Sequence, residues 1–211
     1  MRLCALALGS WAILGTGATS AVANPILLTV VSGPMLQQKT NSPCVIGDPS
    51  CHNRGSIPFT TLPPHDPADT VSSPVYTVDQ IRSLVGNTFN IGVDLNQAPG
   101  QNNGAYLLNA FTLTANGAPL FSTSPVTLTP LNPGNGFSDA TIMGFDLTGL
   151  SGSTQIQFTT NFSGGTAGRE QYFLRSAAVT GQTTSPTPEP GTWLLVGTGA
   201  FALIRRKLQQ H

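Results

Sequence analysis

The central part of the chain alternates between apolar and polar positions with the period of a β-strand. Between Thr88 and Asn96, apolar side chains occupy positions 89, 91, 93 and 95, and polar residues or glycine occupy the positions between them. Such alternation is typical of a strand with one face on a core and the other in water. Further strands are predicted over residues 26–31, 107–114, 120 onward, 126–129, 141–147, 155–162 and 171–174.

Turn and cap signals separate these strands. Asn116-Gly117 is the dipeptide most typical of a tight hairpin, so the preceding strand should return from about Leu120. Thr77 and Gln80 have the spacing of a capping box, and they predict one or two turns of helix that end at Gly86. No other segment before the C-terminus has a convincing helical pattern.

About seven short strands with very little helix indicate an all-β fold. An antiparallel β-sandwich accounts for the pattern, and a jelly roll fits it almost as well. Prolines repeatedly interrupt residues 24–72, so we expect loop there apart from the strand at 26–31. The predicted organisation is a loop-rich segment at 24–72, a β-sandwich domain at 73–180 and an extended linker at 181–187.

The first 23 residues have the layout of a signal peptide. Arg2 supplies a positive charge, residues 3–17 are mostly apolar, and Ala21-Val22-Ala23 forms a small-residue cleavage site, with Ala21 and Ala23 at its key positions. The sequence therefore predicts an N-terminal signal helix at 1–23, export, and a mature chain that begins at Asn24.

Export changes the interpretation of the cysteines. Removal of Cys4 with the signal peptide leaves Cys44 and Cys51, and a local pair in an oxidising compartment is typical of a disulfide. The turn residues at 47–50 bring the two together. A metal site at this pair has little support, because His52 adjoins it without a second Cys-x-x-Cys or His-x-x-x-His.

Charge is sparse along the whole chain. Only 9% of the residues are charged and the formal net charge is zero, whereas about 25% is usual. Four of the nine cations are Arg2, Arg205, Arg206 and Lys207. The body between the termini is weakly acidic, so we expect no nucleic-acid partner.

Candidate chemistry in the body is limited. A nucleophile elbow and a phosphate-binding glycine loop are both missing from the sequence. His65, Asp66 and Asp69 lie in a proline-rich stretch that predicts an exposed loop rather than a metal or acid–base site. We therefore expect no catalytic residues, no cofactor and no enzyme activity. The alternative is a polysaccharide hydrolase, because eight acidic residues in the body leave room for a facing carboxylate pair.

Four oxygen-bearing side chains on or beside the strands are of the kind that calcium prefers: Asp94, Asn96, Asp139 and Asp146. They lack the Asp-x-Asp-x-Asp spacing of a calcium loop. Strand-end capping and turn hydrogen bonds are the simpler role for them, and we expect no metal.

The last predicted strand combines aromatic and charged residues. Tyr172 and Phe173 are neighbours and must face opposite sides, so one of the two could be exposed and stack on sugar rings. We interpret the adjacent Arg169, Glu170 and Arg175 as a surface ion-pair set, with a ligand contact as the alternative.

The C-terminal tail has the layout of a short membrane segment. Residues 191–204 carry no charge, and three cations follow at Arg205, Arg206 and Lys207. The helix would be about 20 Å long, against a bilayer core of about 30 Å. The cations should snorkel and stay on the cytoplasmic side. The pattern predicts a short transmembrane helix with the body outside.

Pro188-Glu189-Pro190, followed by this apolar run and the final basic cluster, resembles the PEP-CTERM sorting signal over residues 188–209. The resemblance implies a bacterial exported protein that a membrane transpeptidase, exosortase, recognises at 188–190, with the cations as the membrane stop. PEP-CTERM tails are associated with exopolysaccharide production. We therefore expect delivery to the cell surface or matrix, and a structural or adhesive role that could include polysaccharide binding. A permanent single-pass anchor is the alternative.

Overall fold

The computed structural model describes residues 24–53, 57–63, 68–96, 106–131, 136–164 and 168–177. These residues are mostly β-strand with one short helix, which confirms the predicted all-β class. The elements in chain order are β1 (Ile26–Ser32), β2 (Cys44–Gly47), β3 (Thr60–Thr61), β4 (Ala68–Ser72), β5 (Tyr76–Thr77), α1 (Val78–Val85), β6 (Thr88–Asp94), β7 (Tyr106–Ala115), β8 (Ala118–Thr123), β9 (Val126–Leu128), β10 (Ala140–Asp146), β11 (Gln155–Ser163) and β12 (Gln171–Ser176).

The strands belong to one sheet that is nearly closed into a barrel-like shape. The strand order is β3-β2-β12-β6-β10-β1-β8-β7-β11-β4, with β5 beside β11 and β9 beside β7. Strand β1 makes the sheet continuous, because Ile26–Leu28 pairs with β8 and Thr29–Ser32 pairs with β10. The two separate sheets of the predicted sandwich are thus joined through a shared strand.

Strand directions also differ in part from the purely antiparallel prediction. Nine pairings in the described part of the chain are antiparallel. The pairs β1–β8 and β2–β3 are parallel. Strand β1 is thus antiparallel to β10 on one side and parallel to β8 on the other.

The local signals at the helix and the hairpin are confirmed. The Thr77 hydroxyl accepts from the Gln80 backbone N–H at 3.2 Å, and the Gln80 side chain accepts from the Thr77 N–H at 2.8 Å. Between β7 and β8, Asn116 and Gly117 have φ angles of 49° and 81°. A tight two-residue hairpin requires positive φ at both positions, which asparagine and glycine tolerate best.

Residues 24–72 contain more strand than the expected loop. Strands β2 and β3 extend the sheet beyond β12 at one end, and β4 pairs with β11 at the other. These strands are only two to five residues long, so their own sequences carry a weak signal. They form because longer strands offer them hydrogen-bonding edges.

The core is a cluster of aromatic rings enclosed by the sheet. Phe145 lies at its centre and stacks on Phe89 with ring centroids 4.8 Å apart. Its ring also makes edge contacts with Phe111, Phe121 and Phe158 at centroid distances between 5.8 and 6.4 Å. All five side chains are buried, so this cluster supplies much of the apolar area that stabilises the domain.

Several predicted segments lie outside the described residues. They are the signal peptide at 1–23, the linker at 181–187 and the tail at 188–209, together with His65 and Asp66. Within the described ranges, we find no helix with the length and apolar character needed to cross a membrane.

Candidate functional site

A groove of about 490 Å³ opens between the segment that follows β1, the end of α1 and the end of β12. Small-molecule sites commonly have volumes of about 300–1,000 Å³. Apolar, cationic and neutral polar side chains line the groove. The apolar ones are Met35, Leu36, Leu84 and Phe137, and the cationic ones are Lys39 and Arg175. A second cavity, beside Glu170, has a volume of about 10 Å³, enough for one water molecule.

Residues 35–42 form one wall of the groove, and hydrogen bonds hold this groove wall in place. The Gln38 N–H donates to the Gly136 carbonyl at 2.7 Å, and the Ser138 N–H donates to the Leu36 carbonyl at 3.0 Å. The Ser138 hydroxyl accepts from the Leu36 N–H at 3.1 Å. The Gln38 side chain donates to the Ser42 carbonyl at 2.8 Å and closes the segment on itself. This wall is therefore a fixed part of the fold.

The end of β12 lines the groove with Arg175 and Ser176. Side chains alternate along it, so Tyr172 and Leu174 point into the core and Phe173 and Arg175 point to the opposite face. Phe173 covers Gly92 on β6, where an added Cβ would lie 2.5 Å from the ring. Tyr172 and Phe173 are both fully buried. The expectation that one of them could be exposed is wrong, because both faces of β12 are covered.

The charged residues around β12 do not form the surface set that the sequence predicts. Glu170 and Arg175 are only 2% and 8% exposed. Arg169 instead pairs with Asp48, which follows β2, at 3.4 Å. Glu170 has the same orientation as Tyr172 and lies beside the small cavity lined by Leu62 and Phe162, whereas Arg175 lies on the opposite face of β12. Their spacing in the sequence gives no sign of this burial.

The predicted disulfide between Cys44 and Cys51 is confirmed. It joins β2 to the following turn, and Asn53 braces it by accepting from the Cys44 N–H at 2.7 Å and donating to the Cys44 carbonyl at 2.8 Å. Gly47 lies against the bond, because a Cβ there would be 2.8 Å from the Cys51 sulfur. The next residue, His52, donates its N–H to the side chain of Gln38 at 3.1 Å, so the disulfide also supports the groove wall.

Removal of this disulfide should lower the free energy of unfolding by about 2.5 kcal/mol, because the unfolded chain regains the freedom of an eight-residue loop. The measurement is urea unfolding of the Cys44→Ala/Cys51→Ala double variant. Wild-type protein unfolded in the presence of a reductant is the matched control and should show a similar loss. A loss of unfolding free energy below about 1 kcal/mol, in both the double variant and the reduced wild type, would mean that the disulfide constrains the unfolded chain very little.

Two of the candidate calcium ligands come together in the interior. Asp94 and Asp139 are 0% and 1% exposed. Asp139 accepts from the Leu95 N–H at 2.7 Å and from the Leu131 N–H at 2.5 Å, and Asp94 accepts from the Gly136 N–H. These bonds fix the loops that follow the strands, which is the simpler role predicted for these residues.

The electrostatic setting of Asp94 is unusual. Burial raises the pKa of Asp94 to about 7, opposed by the hydrogen bond from Gly136 and assisted by the charges of Asp139 and Asp48. Its Oδ1 has no hydrogen-bond partner among the described residues. Asp94 therefore holds a proton in the folded protein at pH values where an exposed aspartate is ionised.

The other two candidate ligands, Asp146 and Asn96, make different contacts. Asp146 is exposed and accepts from the Thr148 N–H at 2.8 Å, and this turn bonding lowers the pKa of Asp146. Asn96 packs against Gly168 at the end of β6. In the described ranges, no three His, Cys, Asp or Glu side chains are grouped as a metal ion would require.

Most groove residues were not singled out from the sequence. Lys39, Leu84 and Phe137 come from three distant segments that only the closed sheet brings together. The sequence offers one signal for a binding residue in the groove, which is the charge of Lys39, because no acidic residue lies close to it in the sequence.

The fold and the tail define an exported all-β protein with a C-terminal sorting signal. That signal is a PEP-CTERM protein-sorting motif, whose family model matches residues 186–207. The match confirms the predicted sorting signal and includes Pro188-Glu189-Pro190 and Arg205-Arg206-Lys207. The motif indicates a protein that is targeted to exosortase and associated with the cell envelope. Comparisons with curated proteins and with solved structures gave no match.

Proposed function

We propose that this protein is a non-catalytic surface or matrix component that exosortase delivers and that binds extracellular polysaccharide in a structural or adhesive role. The PEP-CTERM motif at residues 186–207 is the observation that carries the proposal. The motif supports a location outside the cell, where exopolysaccharide is abundant around the bacteria that produce it. The β-domain is then the part of the protein that binds the polysaccharide.

The groove supports the binding part of the proposal. Phe137 and Leu84 offer partly exposed apolar surface on which the C–H face of a sugar ring can lie. Asn41, Ser42 and Ser176 supply amide and hydroxyl groups beside them, and these groups match the hydrogen-bonding capacity of sugar hydroxyls. Apolar surface with a few polar groups is the usual composition of a small-ligand site.

The positions of the carboxylates support a non-catalytic role. A glycosidase needs two carboxyl groups that face the bond to be cleaved. Asp94 and Asp139 lie near each other, but both are buried and accept backbone hydrogen bonds. The described residues that line the groove include no carboxylate. The alternative of a hydrolase therefore has no specific observation in its favour.

The fate of the tail is tested by mass spectrometry of the C-terminus of the protein recovered from its own cells. We expect a mature end at or near residues 188–191, because the motif marks this segment for the transpeptidase. Replacement of Pro188, Glu189 and Pro190 by alanine should leave the tail intact. The matched control replaces Thr183 and Thr184, upstream of the motif. An intact end at His211 in the membrane fraction would instead establish the permanent anchor.

The binding role is tested by retention of the recovered protein on exopolysaccharide from the same cells. Turnover of the same polymer is measured in parallel as the release of reducing ends. Retention without turnover is expected. Turnover that one carboxylate substitution abolishes would replace the proposed role with that of a hydrolase.

A further inference from the structure

We propose that the groove is an anion site that takes an acidic saccharide, with Arg175 and Lys39 holding the oxyanion group of a sugar such as a uronate. This inference deepens the proposed polysaccharide binding, on which it rests, by naming the chemical class of the ligand. It follows from the distribution of charge in the domain and from the position of Arg175, a mostly buried residue that lines the groove.

The charge distribution is the first observation. Four cations lie within the described residues of the domain: Lys39, Arg82, Arg169 and Arg175. Arg82 pairs with a carboxylate one turn earlier on α1 at 3.2 Å, and Arg169 pairs with the carboxylate after β2 at 3.4 Å. In the same ranges, Lys39 and Arg175 have no ion-pair partner, and both line the groove. In a domain with so few charges, two unpaired cations in one groove create a local positive potential.

The burial of Arg175 is the second observation. It lies on the outward face of β12, and only 8% of it is exposed. Burial lowers the pKa of its guanidinium, although an arginine stays charged at any physiological pH. None of its nitrogens is among the fully buried unpartnered atoms of the described residues, so the guanidinium of this mostly buried side chain keeps access to the groove. A partly desolvated cation is stabilised by an acceptor that faces it. An oxyanion in the groove supplies that acceptor, and the planar guanidinium suits the two oxygens of a carboxylate.

The rest of the lining favours a sugar over a free inorganic anion. At about 490 Å³ the groove is much larger than a sulfate or phosphate ion. Phe137 and Leu84 add apolar surface, and Asn41 and Ser42 add neutral hydrogen-bonding groups. An inorganic anion would leave all of these without a role, whereas a sugar ring that carries a carboxylate uses them together with the cations.

The test measures binding to the full-length protein in detergent by isothermal titration calorimetry. Three probes are compared: trigalacturonate, neutral galactotriose and sodium sulfate. Trigalacturonate should bind at least about tenfold more tightly than either of the others, because only it combines an oxyanion with a ring. Its affinity should fall as salt rises, since added ions screen the exposed Lys39.

Two variants assign the effect to the groove. Arg175→Gln should weaken trigalacturonate binding by about tenfold or more, and Lys39→Gln by about threefold. Lys39→Arg should keep most of the affinity because the charge remains. Arg169→Gln, which removes a paired cation outside the groove, is the control for net charge and should bind as the wild type does. Because Lys39 is exposed, its variant stays informative even where Arg175→Gln lowers stability.

The other outcomes separate this inference from the proposed function. Equal binding of galactotriose and trigalacturonate, unaffected by both variants, would overturn the anion site and leave polysaccharide binding standing. Sulfate binding as tight as that of trigalacturonate would overturn the saccharide and show a site for free anions. Binding of none of the probes, with no retention on the cell's own polymer, would overturn both.

Discussion

Replacement of Phe145 by alanine is expected to lower the free energy of unfolding by about 4 kcal/mol. Large-to-small changes at buried phenylalanines cost about 3–5 kcal/mol, because apolar contacts are lost and a cavity remains. Phe145 is 1% exposed and contacts four other phenylalanine rings. The surrounding sheet is nearly closed and has little freedom to collapse into the space. Urea unfolding followed by circular dichroism measures the loss.

Phe137→Ala is the matched control, because it removes the same atoms from a partly exposed ring in the groove wall. Its cost should be clearly smaller than that of Phe145→Ala, since part of the Phe137 ring already faces solvent and the space left behind is open to water. Phe145→Leu gives a smaller loss, of about 1.5 kcal/mol, and keeps the comparison possible if the alanine variant does not fold. Equal losses at positions 137 and 145 would contradict the assignment of the core.

Asp94→Asn is expected to stabilise the protein at pH 8 by up to about 4 kcal/mol and to have little effect near pH 4. Because the pKa of Asp94 is raised to about 7 in the folded state, the folded protein binds more protons than the unfolded chain between pH 4 and pH 7. The stability that this group contributes is therefore full below pH 4 and is lost as pH rises through 7. The amide keeps an acceptor for the Gly136 N–H and removes the buried charge.

The measurement is the difference in unfolding free energy between variant and wild type at several pH values, which cancels the contributions of other titrating groups. Asp146→Asn is the control, since this exposed carboxylate has a lowered pKa. Its difference from wild type should not change between pH 5 and pH 8. A difference for Asp94→Asn that is also independent of pH in that range would show that Asp94 is ionised in the folded state.

The longer strands, the helix and the disulfide could be predicted because each has a local signal. Alternation marks β6, the capping box of Thr77 and Gln80 marks α1, and Asn116-Gly117 marks the hairpin. Such signals depend on interactions between residues close in sequence. The expectation that the polar face of β6 lies in water is wrong, because Asn90 and Asp94 are buried as well. Strands β2, β3 and β4 have no comparable signal, since their stability comes from distant partners.

The groove could not be predicted for the same physical reason. The sequence predicts that Arg175 lies on the surface, because a charged side chain on a strand usually faces water. In the fold it is surrounded by residues from distant segments, among them Leu36, Leu84 and Phe137, and only 8% of it is exposed. The sorting tail is the opposite case, since its recognition depends on a contiguous segment that needs no tertiary structure.

The double pairing of β1 sets the order in which the protein can take shape during export. If export starts at the N-terminus, as the predicted signal peptide implies, β1 crosses the membrane before its partners, because Ile26 pairs with Phe121 and Thr29 pairs with Met143. Pairing between such distant positions forms slowly, and it cannot begin until those residues have also crossed. On this prediction, the sheet can close only after most of the domain has crossed the membrane.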